Sequence, residues 1–179
     1  MEIILDKALI DYAIKHSKER MQYEYDRFGL SQQSRFDMVL IGTIGQLAFK
    51  KHLDNLDITY SFEFQAGEYD EIDFEINTEI IEIKTSGYEH SFNHLNMLYN
   101  CDQYERGKAK NYKYCVQIFI NGYDRERKVF NPLDCNKATI AGIIKFEDIK
   151  KHPIKNMNYA FCYVVPLNSL QPITEVIKC

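Results

Sequence analysis

From Ile72 to Thr85 the chain alternates apolar and polar residues with a break of three residues, Asn77-Thr78-Glu79, and a gap that short constrains the fold more than any other feature. Two strands so closely spaced in sequence can only be joined as an antiparallel hairpin. A turn centred on Asn77-Thr78 pairs residues whose numbers sum to 155, which sets Asp73 directly opposite Glu82. Because side chains alternate, Glu71, Asp73 and Glu75 share one face with Ile80, Glu82 and Lys84, while Ile72, Phe74 and Ile76 share the other with Ile81 and Ile83. Asn-Thr is a weak hairpin signal, since Thr tolerates positive φ poorly, and an odd loop would move Asp73 and Glu82 to a diagonal. A further alternating run, Ile58 to Phe64, is expected to be a preceding strand.

Upstream the period changes to that of helices. Asp6 is placed to cap a helix running to about Arg27, and Phe28-Gly29-Leu30-Ser31 reads as its stop. A second helix is expected from about Ser34 to Leu53, with Phe36, Val39, Leu40, Leu47 and Ala48 on a core stripe. Gly42 and Gly45 each weaken that helix by about 1 kcal/mol relative to Ala, which points to a close approach by another backbone or a ligand. Downstream, His90 to Lys110 is polar and partly helical; Tyr112 to Ile120, Thr139 to Phe146 and Tyr159 to Val165 read as strands, with a short helix near Glu147 to Lys151. The expected class is α/β or α+β, a mixed central sheet flanked by helices.

With 179 residues, 45% of them hydrophobic, and no Pro- or Gly-rich linker, the chain is expected to form a single domain, 1–179. No apolar run approaches the ~18 residues of a membrane helix, so no membrane partner is expected. The five cysteines include no C-x-x-C pair and are expected to be reduced thiols of a cytoplasmic protein. His90 and His94 have a spacing that on a helix would permit shared zinc binding, although no third ligand stands out; His16, His52 and His152 are expected at the surface or at helix ends.

Two opposed carboxylates on neighbouring strands repel, and a hard divalent cation held by oxygen ligands is the simplest counterweight. Lys84, on the same face as Glu82, would orient a water or stabilise a pentacoordinate phosphate. Alternating charge is equally expected of the solvated face of a half-exposed sheet. Thr85-Ser86-Gly87 then forms a strand exit able to meet a phosphate through backbone N–H groups.

The net charge of -4 argues mildly against a nucleic-acid partner until it is resolved by position. Residues 52–83 carry ten acidic residues and no Lys or Arg, which leaves 22 basic and 16 acidic residues elsewhere. Arg106, Lys108, Lys110 and Lys113 form one basic cluster, and Arg125, Arg127 and Lys128 another; Tyr104, Tyr112, Tyr114 and Tyr123 are interleaved, either to stack on sugars or bases or to cover the core.

Gly42-Thr43-Ile44-Gly45-Gln46, then Asp73, then Glu82-Ile83-Lys84 nine residues later, resembles the ordered signature of the PD-(D/E)XK nuclease superfamily, with its restriction-endonuclease-like αβββαβ core. The resemblance covers Ser34 to Thr85 well and is loose beyond. It implies a nuclease that hydrolyses phosphodiester bonds, DNA ahead of RNA, with Mg²⁺ or Mn²⁺ as cofactor. Asp73 and Glu82 would be metal ligands, Ile83 a backbone-carbonyl ligand, Lys84 the catalytic lysine, and Gln46 would take the place of the family's helix Glu. Asp70 is the rival for the Asp73 role, on the opposite strand parity. Gln103, Arg106 and Lys108 fall where the resemblance places a helix near the scissile phosphate, and the family also implies a homodimer. The Gln at position 46 is a neutral ligand, which raises a second expectation: a catalytically weakened protein of the same fold that binds nucleic acid or a protein partner without cleavage. A third is an acidic nucleic-acid mimic, motivated by the acidic block.

Overall fold

The fold was analysed in a computed structural model, which describes residues 1–22, 29–62 and 74–177. In chain order the elements are β1 (Glu2–Ile4), α1 (Lys7–Met21), α2 (Gln32–Asn55), β2 (Phe74–Ile76), β3 (Glu79–Tyr88), β4 (Asn96–Asn100), α3 (Cys101–Ala109), β5 (Tyr112–Asn121), β6 (Tyr123–Asp124), β7 (Val129–Phe130) and β8 (Lys137–Lys145). A 3-10 turn at Phe146–Lys151 leads to β9 (Ile154–Asn156) and β10 (Phe161–Pro166), and α4 (Ile173–Val176) follows. The chain is a mixed α+β structure.

The helices begin where the sequence supplies caps. Asp6 accepts from the backbone N–H of Leu9 at 2.9 Å, and Ser31 accepts from that of Ser34 at 3.1 Å, so each satisfies a donor that the first turn leaves open. The hairpin closes as the spacing requires: Phe74 pairs with Ile81, Glu75 with Ile80 and Ile76 with Glu79, around a two-residue turn. Both turn residues, Asn77 (φ 51°) and Thr78 (φ 68°), adopt the left-handed conformation of a type I′ turn, so Thr78 takes the backbone strain.

Five strands form the main sheet in the order β1-β8-β5-β3-β2. The β3–β5 pair is parallel, joined by a crossover through β4 and α3, and the other neighbours are antiparallel. One face of this sheet packs on α1 and α2. There Ile10 and Ala13 of α1 and Leu40, Ile44 and Ala48 of α2 share a core with Ile81, Ile83, Val116, Ile118 and Ile143. The other face is covered by α3, the 3-10 turn and a second sheet, β4-β10-β9, whose Met97, Tyr99 and Val165 join Tyr104, Cys115, Ile144 and Phe146 in a second core rich in aromatic rings.

Two expectations need correction and a third is sharpened. The run from Ile58 is not a strand in its described part: Ser61 makes a single bridge to Glu75, and Tyr60 and Phe62 pack their rings on Phe74. The polar segment from His90 contains a strand, β4. His52 does lie at a helix end, in the last turn of α2, where it is buried at 4% exposure beside Phe49. The described residues include no helix long and apolar enough to cross a membrane.

Candidate functional site

The polar stripe of β3 is roofed by protein. Glu82 is only 8% exposed, because the face it occupies meets the β4–α3 segment and the second core. A buried carboxylate must be compensated, or its desolvation costs several kcal/mol. Both of its oxygens find donors. Oε1 lies 2.5 Å from the Nζ of Lys84, and Oε2 accepts a short hydrogen bond from the hydroxyl of Tyr99. Lys84 in turn donates to Oε1 of Gln103 at 3.1 Å, and its Nζ lies 4.6 Å from the centroid of the Tyr99 ring, within cation–π range.

The two partners that do not come from β3 arrive on adjacent elements. Tyr99 is the penultimate residue of β4 and Gln103 lies in the first turn of α3. Between them Asn100 caps the helix, its Oδ1 accepting from the N–H groups of Asp102 at 2.8 Å and Gln103 at 3.1 Å. Burial, reinforced by the Glu82 carboxylate, holds the Tyr99 phenol far above its ordinary range, so this hydroxyl donates and does not ionise. Next to Lys84 across the parallel ladder, Gln117 is 1% exposed and donates to the carbonyl of Ile118 at 2.8 Å and to Ser86 Oγ at 3.4 Å.

Of the residues singled out in the sequence, Glu82, Lys84 and Gln103 are brought into one bonded chain. Asp73 and its rival Asp70 lie outside the described residues. Ile83 pairs with Val116 and turns its side chain into the α2-facing core. Thr85 also turns to that side: a Cβ at Gly45 would overlap the Thr85 side chain, which accounts for the glycine. No such crowding exists at Gly42, where an added Cβ meets nothing within 4 Å. Gln46 sits beside Gly45 on α2 with its Oε1 buried. Arg106 and Lys108 are exposed on α3, and the Arg106 guanidinium reaches back to the carbonyl of Asp102 at 3.4 Å.

The interleaved tyrosines cover the cores. Tyr104 is stacked on Phe146 with centroids 4.9 Å apart, Tyr112 packs beside it, and Tyr114 and Tyr123 lie against the first core. His90 and His94 are exposed in the loop between β3 and β4 and share no helix. The residue that the sequence did not single out is Tyr99. Its signal was the alternation Met97, Tyr99 against Asn96, Asn100, a short one-sided strand hidden in an otherwise polar stretch.

Among the described residues no group of three or more His, Cys, Asp or Glu side chains is placed to hold a metal ion. Glu82 is the one carboxylate of the described cluster, and its oxygen donors are of the type hard divalent cations prefer. No protein-family model, curated protein or solved structure matches the chain.

Proposed function

We propose that the chain is a Mg²⁺- or Mn²⁺-dependent nuclease of restriction-endonuclease-like αβββαβ fold that hydrolyses phosphodiester bonds, with DNA as substrate. The observation that carries this is the ion pair of Glu82 and Lys84, two residues apart on one strand, sunk under a separate element and given individual neutral partners, Tyr99 and Gln103. Such a pair is a poor route to stability, since apolar residues of the same volume would serve as well or better, so its presence favours a chemical use. The element order supports the same reading: helix α2, the β2–β3 hairpin bearing Glu82 and Lys84, helix α3, then β5 parallel to β3.

In this reading Glu82, with Asp73 immediately before β2, holds the cation, while α2, which carries Gln46, lies against the opposite face of β3. When bound, the cation supplies Lewis-acid activation of a water for in-line attack. Lys84 places its ammonium against the attacked phosphate, where negative charge grows in the transition state, and Gln103 keeps that ammonium aimed by accepting one of its protons. The exposed Arg106 and Lys108 extend the positive surface along α3 toward the phosphate backbone.

The test is cleavage of plasmid DNA over a Mg²⁺ and Mn²⁺ titration, wild type beside Glu82→Gln and Lys84→Gln. Each variant keeps a polar partner for its neighbours and is expected to lose at least about 100-fold in rate. Cleavage unchanged in both overturns the proposal. A second reading, a nucleic-acid-binding protein of the same fold without cleavage, is favoured by the double occupation of the Glu82 oxygens by Lys84 and Tyr99. Its signature in the same experiment is retarded migration of intact DNA at every metal concentration.

A further inference from the structure

We infer that the β6–β7 hairpin is a nucleic-acid arm, whose four-residue tip, Arg125-Glu126-Arg127-Lys128, contacts the phosphate backbone of duplex DNA at the end of β3 beyond Lys84. The inference rests on the nuclease reading above for the identity of the ligand and adds to it a docking element on another part of the chain.

The hairpin has a fixed root and a free end. At the root Tyr123 pairs with Phe130 and Asp124 with Val129, and the N–H of Asn131 donates to the carbonyl of Gly122 at 2.8 Å. Phe130 is buried, and its N–H donates to Oδ2 of Asp37 at 2.9 Å, while the other oxygen of that carboxylate accepts from Gln33 at 2.6 Å. Asp37 is itself buried, which a carboxylate tolerates only when its oxygens have donors, and here one of those donors ties the hairpin to α2. A Cβ added at Gly87 would come within 2.7 Å of Tyr123, so the root also sits against β3, three residues beyond Lys84 and roughly 10 Å along the strand from it.

The tip serves no core. All four of its residues are exposed, none is apolar, and three cations against Glu126 leave it a net charge of +2. Asp124 shapes the turn, accepting from the N–H of Arg127 at 2.8 Å with the Arg127 guanidinium 3.7 Å away. Lys128 closes it at φ 55°, a left-handed position that glycine occupies without steric cost and lysine does not. A turn that had only to reverse the chain would be better served by glycine, so the lysine has another use. Arginine forks match phosphate oxygens, and a two-stranded ribbon is narrow enough to enter the major groove. Residues 52–83 carry no Lys or Arg, so the surface that meets a polyanion is drawn from elsewhere; Arg106 and Lys108 on α3 supply one strip of it and the hairpin a second.

The experiment measures, by fluorescence anisotropy in EDTA, the binding of a labelled duplex of about 20 base pairs from about 50 to about 300 mM NaCl, for wild type and the triple variant Arg125→Gln/Arg127→Gln/Lys128→Gly. Each phosphate contact adds about 0.9 to the slope of log affinity against log salt, so the triple variant is expected to lose about 2 to 3 of that slope and at least about tenfold in low-salt affinity. Its melting temperature is expected to stay near wild type, because the tip is exposed and glycine suits position 128. Arg125→Gln alone leaves the Asp124 contacts and Lys128 intact, keeps the test open should the triple variant melt early, and is expected to lose about 0.9 of slope. Wild-type affinity and slope in both variants overturn the arm and leave the nuclease reading standing. A wild-type dimer in sedimentation that the triple variant abolishes, with duplex binding unaltered, overturns the arm in favour of a second copy of the chain. Tip-dependent duplex binding by a wild type that cleaves nothing once Mg²⁺ or Mn²⁺ is restored supports the arm and overturns the nuclease reading. Wild type that neither binds nor cleaves overturns both.

Discussion

The two faces of β3 are built by different rules. Toward α1 and α2 the strand presents Ile81, Ile83 and Thr85, and what meets them is either apolar or, at Gly45, missing a side chain altogether. Toward β4 and α3 it presents Glu82 and Lys84, and what meets them is a hydroxyl and an amide aimed at particular atoms. Fit on the first face is a matter of volume; fit on the second is a matter of which donor finds which acceptor. An error of volume can be relaxed by small shifts of neighbouring side chains, whereas a missing partner leaves a desolvated charge that no shift repairs.

The strongest way to break this contrast is to remove one charge from the second face. Lys84→Met is expected to destabilise the protein by about 3 kcal/mol, at the lower end for a buried pair because the Lys84 side chain is 21% exposed. Adding Glu82→Leu in the same chain is expected to return most of that loss, since two apolar residues replace two charges. Urea unfolding of the single and double variants measures both; a double variant as unstable as the single would mean that the pair is not an isolated unit.

On the first face the expected effects are smaller and opposite at two neighbouring glycines. Gly45→Ala drives a methyl group into the Thr85 side chain and is expected to cost about 1–3 kcal/mol, while Gly42→Ala, with open space around it, gains helix propensity worth about 1 kcal/mol. Thermal melts showing both substitutions with the same sign would remove the close approach as the reason for Gly45.

The smallest expected effect is pH-dependent. Burial, with a minor contribution from the positively charged N-terminus, pushes His52 below its ordinary value, and burial does the same to His16, helped by Arg20. The unfolded chain therefore binds these protons more readily than the folded one, so stability is complete above about pH 6.5 and falls as the pH drops below it. Melting temperatures taken from pH 7.5 to pH 5 are expected to decline, and to decline less in His52→Phe. An equal slope in the variant would place the sensitivity elsewhere.

Much of the first face was legible in the sequence and little of the second. The hairpin register followed from two alternating runs and the three-residue break between them, and the starts of α1 and α2 followed from Asp6 and Ser31 because capping is decided within four residues. The alternation of β3 placed Glu82 and Lys84 side by side, and it could not tell a solvated stripe from one roofed by β4, since that depends on a segment folding back from residues 96–103. The same locality misled at Ile58, where an alternating run makes a single described bridge because its rings are taken up by Phe74. At His52 the helix position was right, and the burial came from Phe49 and the packing of the helix end.

The Asn100 cap gives the site a single mechanical joint. Strand β4 ends and helix α3 begins at that one residue, with no linker between them, so the groups that hold Glu82 and Lys84 are four positions apart on either side of it. A change of angle at Asn100 would shift the Gln103 amide relative to the Tyr99 phenol, which the pairing of β4 with β10 holds in place, and so would move the partner of Lys84 without moving that of Glu82. The geometry of the pair is in that sense adjustable by a mutation that touches neither of the charges.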